Sequence, residues 1–258
     1  MRTTTRARQR YGRKVFSAVL ALAFGIGSVC AHAADPAVPR IPGDKMMSTE
    51  QALSSRQQAI APIAAFAATG DMPRLENALE QGLDAGLSVG DCKEILVQLY
   101  AYVGFPRSLN ALGELMKVVN ERKQRGLHDE PGREPGPVPT GAELLAIGTA
   151  NQTRLSGAPV KGALFEFAPA IDQYLKAHLF GDIFARDNLD WQSRELATVG
   201  ALAALQGVDS QLQAHMRISR NTGISEAQLQ QLVAVLRDRV GAEAADRAEA
   251  GRSRSMAP

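Results

Sequence analysis

The chain has 258 residues, 45% apolar and 22% charged, with a formal charge of +2 and only 5% aromatic residues. That composition excludes a disordered or fibrous chain and favours helices, because Ala and Leu dominate it. No basic patch alternates with aromatics, so nucleic acid is not an expected partner.

The first residues read as a secretory signal. Arg2, Arg6, Arg8, Arg10, Arg13 and Lys14 form a basic stretch, an apolar run follows from Val15 to Val29, and Ala31-His32-Ala33 offers small residues for cleavage before Ala34. The run is too short for a comfortable membrane span, so no stable membrane anchor is expected. Cleavage near Ala33 implies a periplasmic or secreted protein. It removes six basic residues and no acidic one, which leaves 23 basic against 27 acidic and a net charge of −4. Cys92 is then the remaining cysteine, so no internal disulfide can form. His128, His178 and His215 have no partners at metal-ligand spacing, so no metal site is expected.

Residues 34–49 read as a flexible, Pro-containing leader. A helical pattern starts near Glu50 and runs through Ala68, until Gly70-Asp71-Met72-Pro73 breaks it. The next helix carries Leu75, Ala78, Leu79 and Leu83 on one face and stops at Gly86. Ser88 caps a third helix, with Asp91 three residues on, and this helix runs towards Gly104-Phe105-Pro106. A fourth starts at Ser108. Residues 128–140 hold four prolines and read as a linker. Thr140 is a candidate cap for the helix after it, and an aromatic-rich segment is expected to form helices on either side of Gly181. Asp190, Asp209 and Ser225 are the expected caps of three further helices, ending near Val240. Residues 241–258 read as a fraying tail.

An internal repeat organises this pattern. Arg56–Leu99 slides onto Ser193–Leu236 at a constant offset of 137 without a gap, which superposes Gly70 on Gly207, Gly86 on Gly223 and Ser88 on Ser225. The expected fold is therefore all-α: two tandem helical-hairpin domains, residues 50–127 and 141–240, related by a pseudo-twofold axis.

Three stretches carry a family resemblance: Leu87 to Pro106, with its Glu94-Ile95 and its Tyr102-Val103-Gly104-Phe105-Pro106 end; Leu189 to Thr198, with Arg194-Glu195-Leu196; and Gln211 to His215. Together they resemble the carboxymuconolactone decarboxylase family, within the alkylhydroperoxidase-D-like superfamily. The resemblance spans about Glu50 to Val240. It implies packed helical hairpins, a homo-oligomer (most simply a trimer of two-domain chains), a small-molecule substrate and no cofactor.

The resemblance also locates candidate residues. His215 and Glu195 are the expected acid–base pair. Tyr102, Arg107 and Arg194 are candidates for binding substrate, with Arg107 suited to a carboxylate. The superfamily's redox thiols would fall on Val208 and Gln211, so a C-x-x-C pair is missing. At the positions of Glu195 and His215 the first repeat has Gln58 and Ala78, yet it keeps the Tyr102–Arg107 turn. This complementary loss suggests one composite site per chain. Three functions follow. The first is a lactone-decarboxylase-type enzyme acting on a small carboxylated substrate. The second is a peroxidase-type antioxidant, disfavoured by the missing thiols. The third is a non-catalytic periplasmic binding or assembly protein.

Overall fold

The computed structural model describes residues 52–256, and the signal and leader expected at the N-terminus lie outside them. Among the described residues the chain is helical and contains no strand. None of these helices is long and apolar enough to cross a membrane.

Helix α1 (Ser55–Thr69) starts at a capping box between Ser54 and Gln57 and ends at Gly70 in the left-handed conformation. Helices α2 (Met72–Asp84) and α3 (Val89–Gln98) follow, the latter started by the expected box between Ser88 and Asp91. In the second half, α8 (Trp191–Ala204) is capped by Asp190, and α9 (Asp209–Asn221) and α10 (Glu226–Arg239) follow. At the offset of 137, α2 maps onto α9 end for end, and the Ser225–Gln228 box of α10 repeats that of α3. Asp209 is the first helical residue of α9 rather than its cap, and its side chain makes no capping bond.

Helices α1 and α8 pack against each other through small residues. Ala61, Ala64 and Ala65 of α1 and Ala197, Gly200 and Ala201 of α8 are buried. A Cβ on Gly200 would stand 2.5 Å from the Ala61 carbonyl oxygen and 2.7 Å from its Cα. The two backbones therefore nearly touch, and only glycine fits there. Leu75, Ile95, Leu196, Leu212, Leu229 and Leu236 from both halves belong to one hydrophobic core around this crossing.

Helix α4 (Tyr100–Gln124) kinks at Gly104, where φ is 80° and ψ 161°, and this break is the Gly-Phe-Pro stop read in the sequence. Residues 128–140 are irregular, as expected of a linker, but they are pinned. The Val89 and Gly90 amides donate to the Glu130 and Pro131 carbonyls, and Arg122 grips the Asp129 carboxylate. Helix α5 (Gly141–Ser156) then leads through the short α6 (Ala163–Phe167) and α7 (Pro169–Tyr174) into a π-helical stretch, Leu175–Ile183.

Two expectations fail here. Gly181 does not separate two helices but lies inside the π-helix, where it lets the Leu144 side chain of α5 approach. The tail does not fray. Residues 242–255 form α11 (Ala242–Ser255), whose Ala244, Ala245, Ala248 and Gly251 are buried. A Cβ on Gly251 would meet Leu212 of α9 at 3.0 Å, so small residues rather than large apolar ones bring this helix into the core.

Candidate functional site

Helix α8 places Glu195 in its first turn, where the helix dipole favours a carboxylate, and buries it completely. Helix α9 turns Leu212, Met216 and Ser219 inwards and holds His215 among them, 8% exposed. The two side chains meet: His215 Nδ1 lies 2.8 Å from Glu195 Oε2. With the carboxylate ionised, Nδ1–H donates to it, and Nε2 is left as the basic nitrogen.

Tyr102, from α4, completes the group. Its ring stands edge-on to the His215 imidazole, with centroids 5.6 Å apart. The residue is half-buried, but its hydroxyl is shut off from solvent and makes no hydrogen bond of good geometry. Burial, and next the charge of Glu195, push the phenol well above its usual pKa, while the nearby Thr198 hydroxyl offsets this in part. Tyr102 is thus held as a neutral donor. The second oxygen of Glu195, Oε1, is also buried without a partner. Tyr102 from the first repeat and Glu195 and His215 from the second therefore share one location.

Tyr102 and His215 line a cavity of about 570 Å³. Apart from Ala101 and Tyr102, its lining lies within residues 152–218, including Leu164, Phe165, Leu175 and Phe180. Val208 and Gln211, where the superfamily's thiols would fall, line it too. Cys92 lies elsewhere, in the hydrophobic core, where burial and next the charge of Asp91 push its thiol up to about 12.

Two expected binding residues are not at this cavity. Arg194 is fully buried, and its guanidinium donates to Glu94 Oε2 at 2.9 Å and to the carbonyl of Arg186. Being next to Glu195 in sequence, it leaves the helix about 100° away and serves the contact between α8 and α3. Arg107 is exposed just past the kink of α4 and is not among the lining residues. His178 and Asp182 pair at 2.6 Å on the π-helix, also away from the cavity lining.

The sequence missed two lining residues, Arg217 and Gln152. Arg217 is two positions from His215, about 200° round the helix, so spacing alone placed it on another face. Gln152 belongs to no motif; only its burial, at 3% exposure beside the cavity, reveals it. Among the described residues no group of three His, Cys, Asp or Glu side chains gathers to hold a metal.

Residues 169–250 match the model of the carboxymuconolactone decarboxylase family. The matched stretch runs from α7 into α11 and contains both Glu195 and His215. The all-α architecture agrees with the alkylhydroperoxidase-D-like type. No curated protein matches the chain.

Proposed function

We propose that this protein is an exported enzyme of the carboxymuconolactone-decarboxylase type, acting on a small carboxylated substrate by acid–base chemistry at His215 and Glu195. One observation carries the reading: a buried carboxylate orients a histidine that lines a cavity of ligand size. When a carboxylate β to a carbonyl leaves as carbon dioxide, the electron pair of the broken C–C bond passes to the enolate. The α-carbon then takes one proton. His215 in its protonated form supplies that proton, and Glu195 balances the charge of the imidazolium. Tyr102, whose ring stands edge-on to the imidazole, holds His215 in place at the cavity.

The peroxidase reading needs an accessible thiolate. The only cysteine among the described residues is Cys92, buried and far from thiolate formation at neutral pH. The decarboxylase reading is therefore preferred. A homo-oligomer, with the trimer as simplest form, belongs to the same proposal. Phe105, Leu109 and Met116 of α4 are 61%, 61% and 66% exposed at helical spacing, an apolar stripe that a second subunit would cover. The pseudo-twofold relation of the two halves, with catalytic groups divided between them, is also part of it.

The test is a comparison of wild type with His215→Ala and Tyr102→Phe on a panel of β-keto acids and carboxylated lactones. Loss of a general acid–base group lowers turnover by roughly 10²–10⁴-fold, so His215→Ala is expected to fall in that range. Tyr102→Phe is expected to lower kcat less than His215→Ala does. Turnover retained in His215→Ala would overturn the assignment.

A further inference from the structure

Part of the wall of this cavity lies outside the two stretches that superpose at the offset of 137. Gln152 and Ser156 come from α5, and Leu164 and Phe165 from α6. These residues also precede the stretch that matches the family model, which begins at residue 169. The cavity thus joins residues inside the matched stretch, His215 and Arg217 among them, to a wall outside it.

Its chemistry is one-sided. Aliphatic and aromatic side chains make up most of the lining, no Asp or Glu is among the lining residues, and the one Lys or Arg there is Arg217. Arg217 is exposed, so it stands at the opening, and it forms no ion pair with any described residue. A guanidinium beside an apolar chamber, with no carboxylate lining it, favours an anion whose remaining body is apolar. Inside, Gln152 is 3% exposed, no hydrogen bond joins its side-chain amide to another described residue, and the amide is not among the polar atoms wholly closed to solvent, so it keeps an open face in the cavity lining. An amide facing the cavity without a protein partner is free to donate its N–H groups to a ligand oxygen.

We propose that this cavity selects a small, mostly apolar carbonyl compound with a single negative charge. Arg217 takes the carboxylate at the opening, and Gln152 donates to the carbonyl oxygen within. A polycarboxylate is excluded, because a second charge would enter the apolar chamber without a counter-ion. The proposal rests on the reading of this cavity as the substrate site, but binding tests it without turnover.

The experiment is calorimetric titration of the purified protein with four probes: 4-phenyl-2-oxobutyrate, 4-phenylbutyrate, the uncharged 4-phenyl-2-butanone, and citrate. The oxo acid is expected to bind most tightly and citrate not at all. Arg217→Gln is expected to weaken both phenyl acids about tenfold, the value of one charge-assisted contact, and to leave the ketone unchanged. Gln152→Leu is expected to weaken the oxo acid and spare 4-phenylbutyrate, which has no carbonyl for the amide. If Gln152→Leu fails to fold by circular dichroism, Gln152→Met serves in its place. Citrate binding more tightly than the oxo acid, no binding by any phenyl probe, or equal loss of both acids in the Gln152 variant would each overturn the proposal. Binding as expected without carbon dioxide release from any keto acid would support this ligand class while removing the decarboxylase assignment. Release from polycarboxylates alone, with no phenyl probe bound, would do the reverse.

Discussion

Glu94 illustrates how a side chain read in the sequence as part of a motif turns out to hold the halves together. It is 4% exposed and accepts from both Arg186 and Arg194. Burial raises its pKa, but the hydrogen bonds from the two guanidinium groups outweigh this and bring it down to about 2. A carboxylate with a lowered folded-state pKa stabilises the fold above its ordinary value of 4.5, and that stabilisation is lost as pH falls from there towards 2. Glu94→Gln would leave Arg194 buried without its anion. Breaking such a pair costs about 3–5 kcal/mol, so the variant should melt well below wild type at pH 7 and differ less at pH 3. Cys92 behaves in the opposite sense. Its thiol, raised from 9.0 to about 12, stays neutral in the folded state while the unfolded chain ionises. Stability owed to it is full below pH 9 and declines from there towards pH 12. Cys92→Ala should flatten the fall of melting temperature between pH 8 and 10, and a thiol reagent should label wild type only on unfolding. The family resemblance singled out Tyr102, Glu195 and His215, which lie together in the structure. Arg194 was misjudged because adjacency to Glu195 in sequence is not adjacency on a helix.

At the scale of elements, glycine and serine punctuation was the most readable signal. The capping boxes at Ser88 and Ser225 and the positive φ of Gly70, Gly86, Gly207 and Gly223 follow from local chemistry, which the sequence displays directly. Helix α11 was not legible, because alanine and arginine carry no strong apolar period. Only the tight approach of Gly251 to Leu212 explains its burial. The π-helix was missed for a related reason: its register depends on the packing of Gly148 and Gly181 between α5 and the π-helix, not on local preference. The close crossing of α1 and α8 gives a direct test. A methyl group at Gly200 would collide with the Ala61 backbone, so Gly200→Ala should destabilise by about 1–3 kcal/mol. A denaturant midpoint shift of that size with an unchanged slope is the expected outcome. A neutral result would mean that α1 and α8 lie further apart than described.

The whole molecule is built around that crossing, since the core draws on both halves. Calorimetry should show one cooperative unfolding transition, and residues 52–127 expressed alone should not fold, because α1 would lose α8. Two separate transitions would contradict a shared core. The proposed composite site has the same logic: Tyr102 reaches His215 only because the halves pack together. The sequence suggested this through complementary losses in the two repeats. It was silent on the cavity, part of whose wall, including Gln152, Leu164 and Phe165, comes from a segment with no motif.

The most direct test of the central claim is carbon dioxide release from small β-keto acids by the wild type and by His215→Ala, both checked for native folding. Release by the wild type that falls by roughly 10²-fold or more in the variant is the expected result. Equal release by both, or none by either across the panel, would contradict a proton-transfer role for His215 and Glu195.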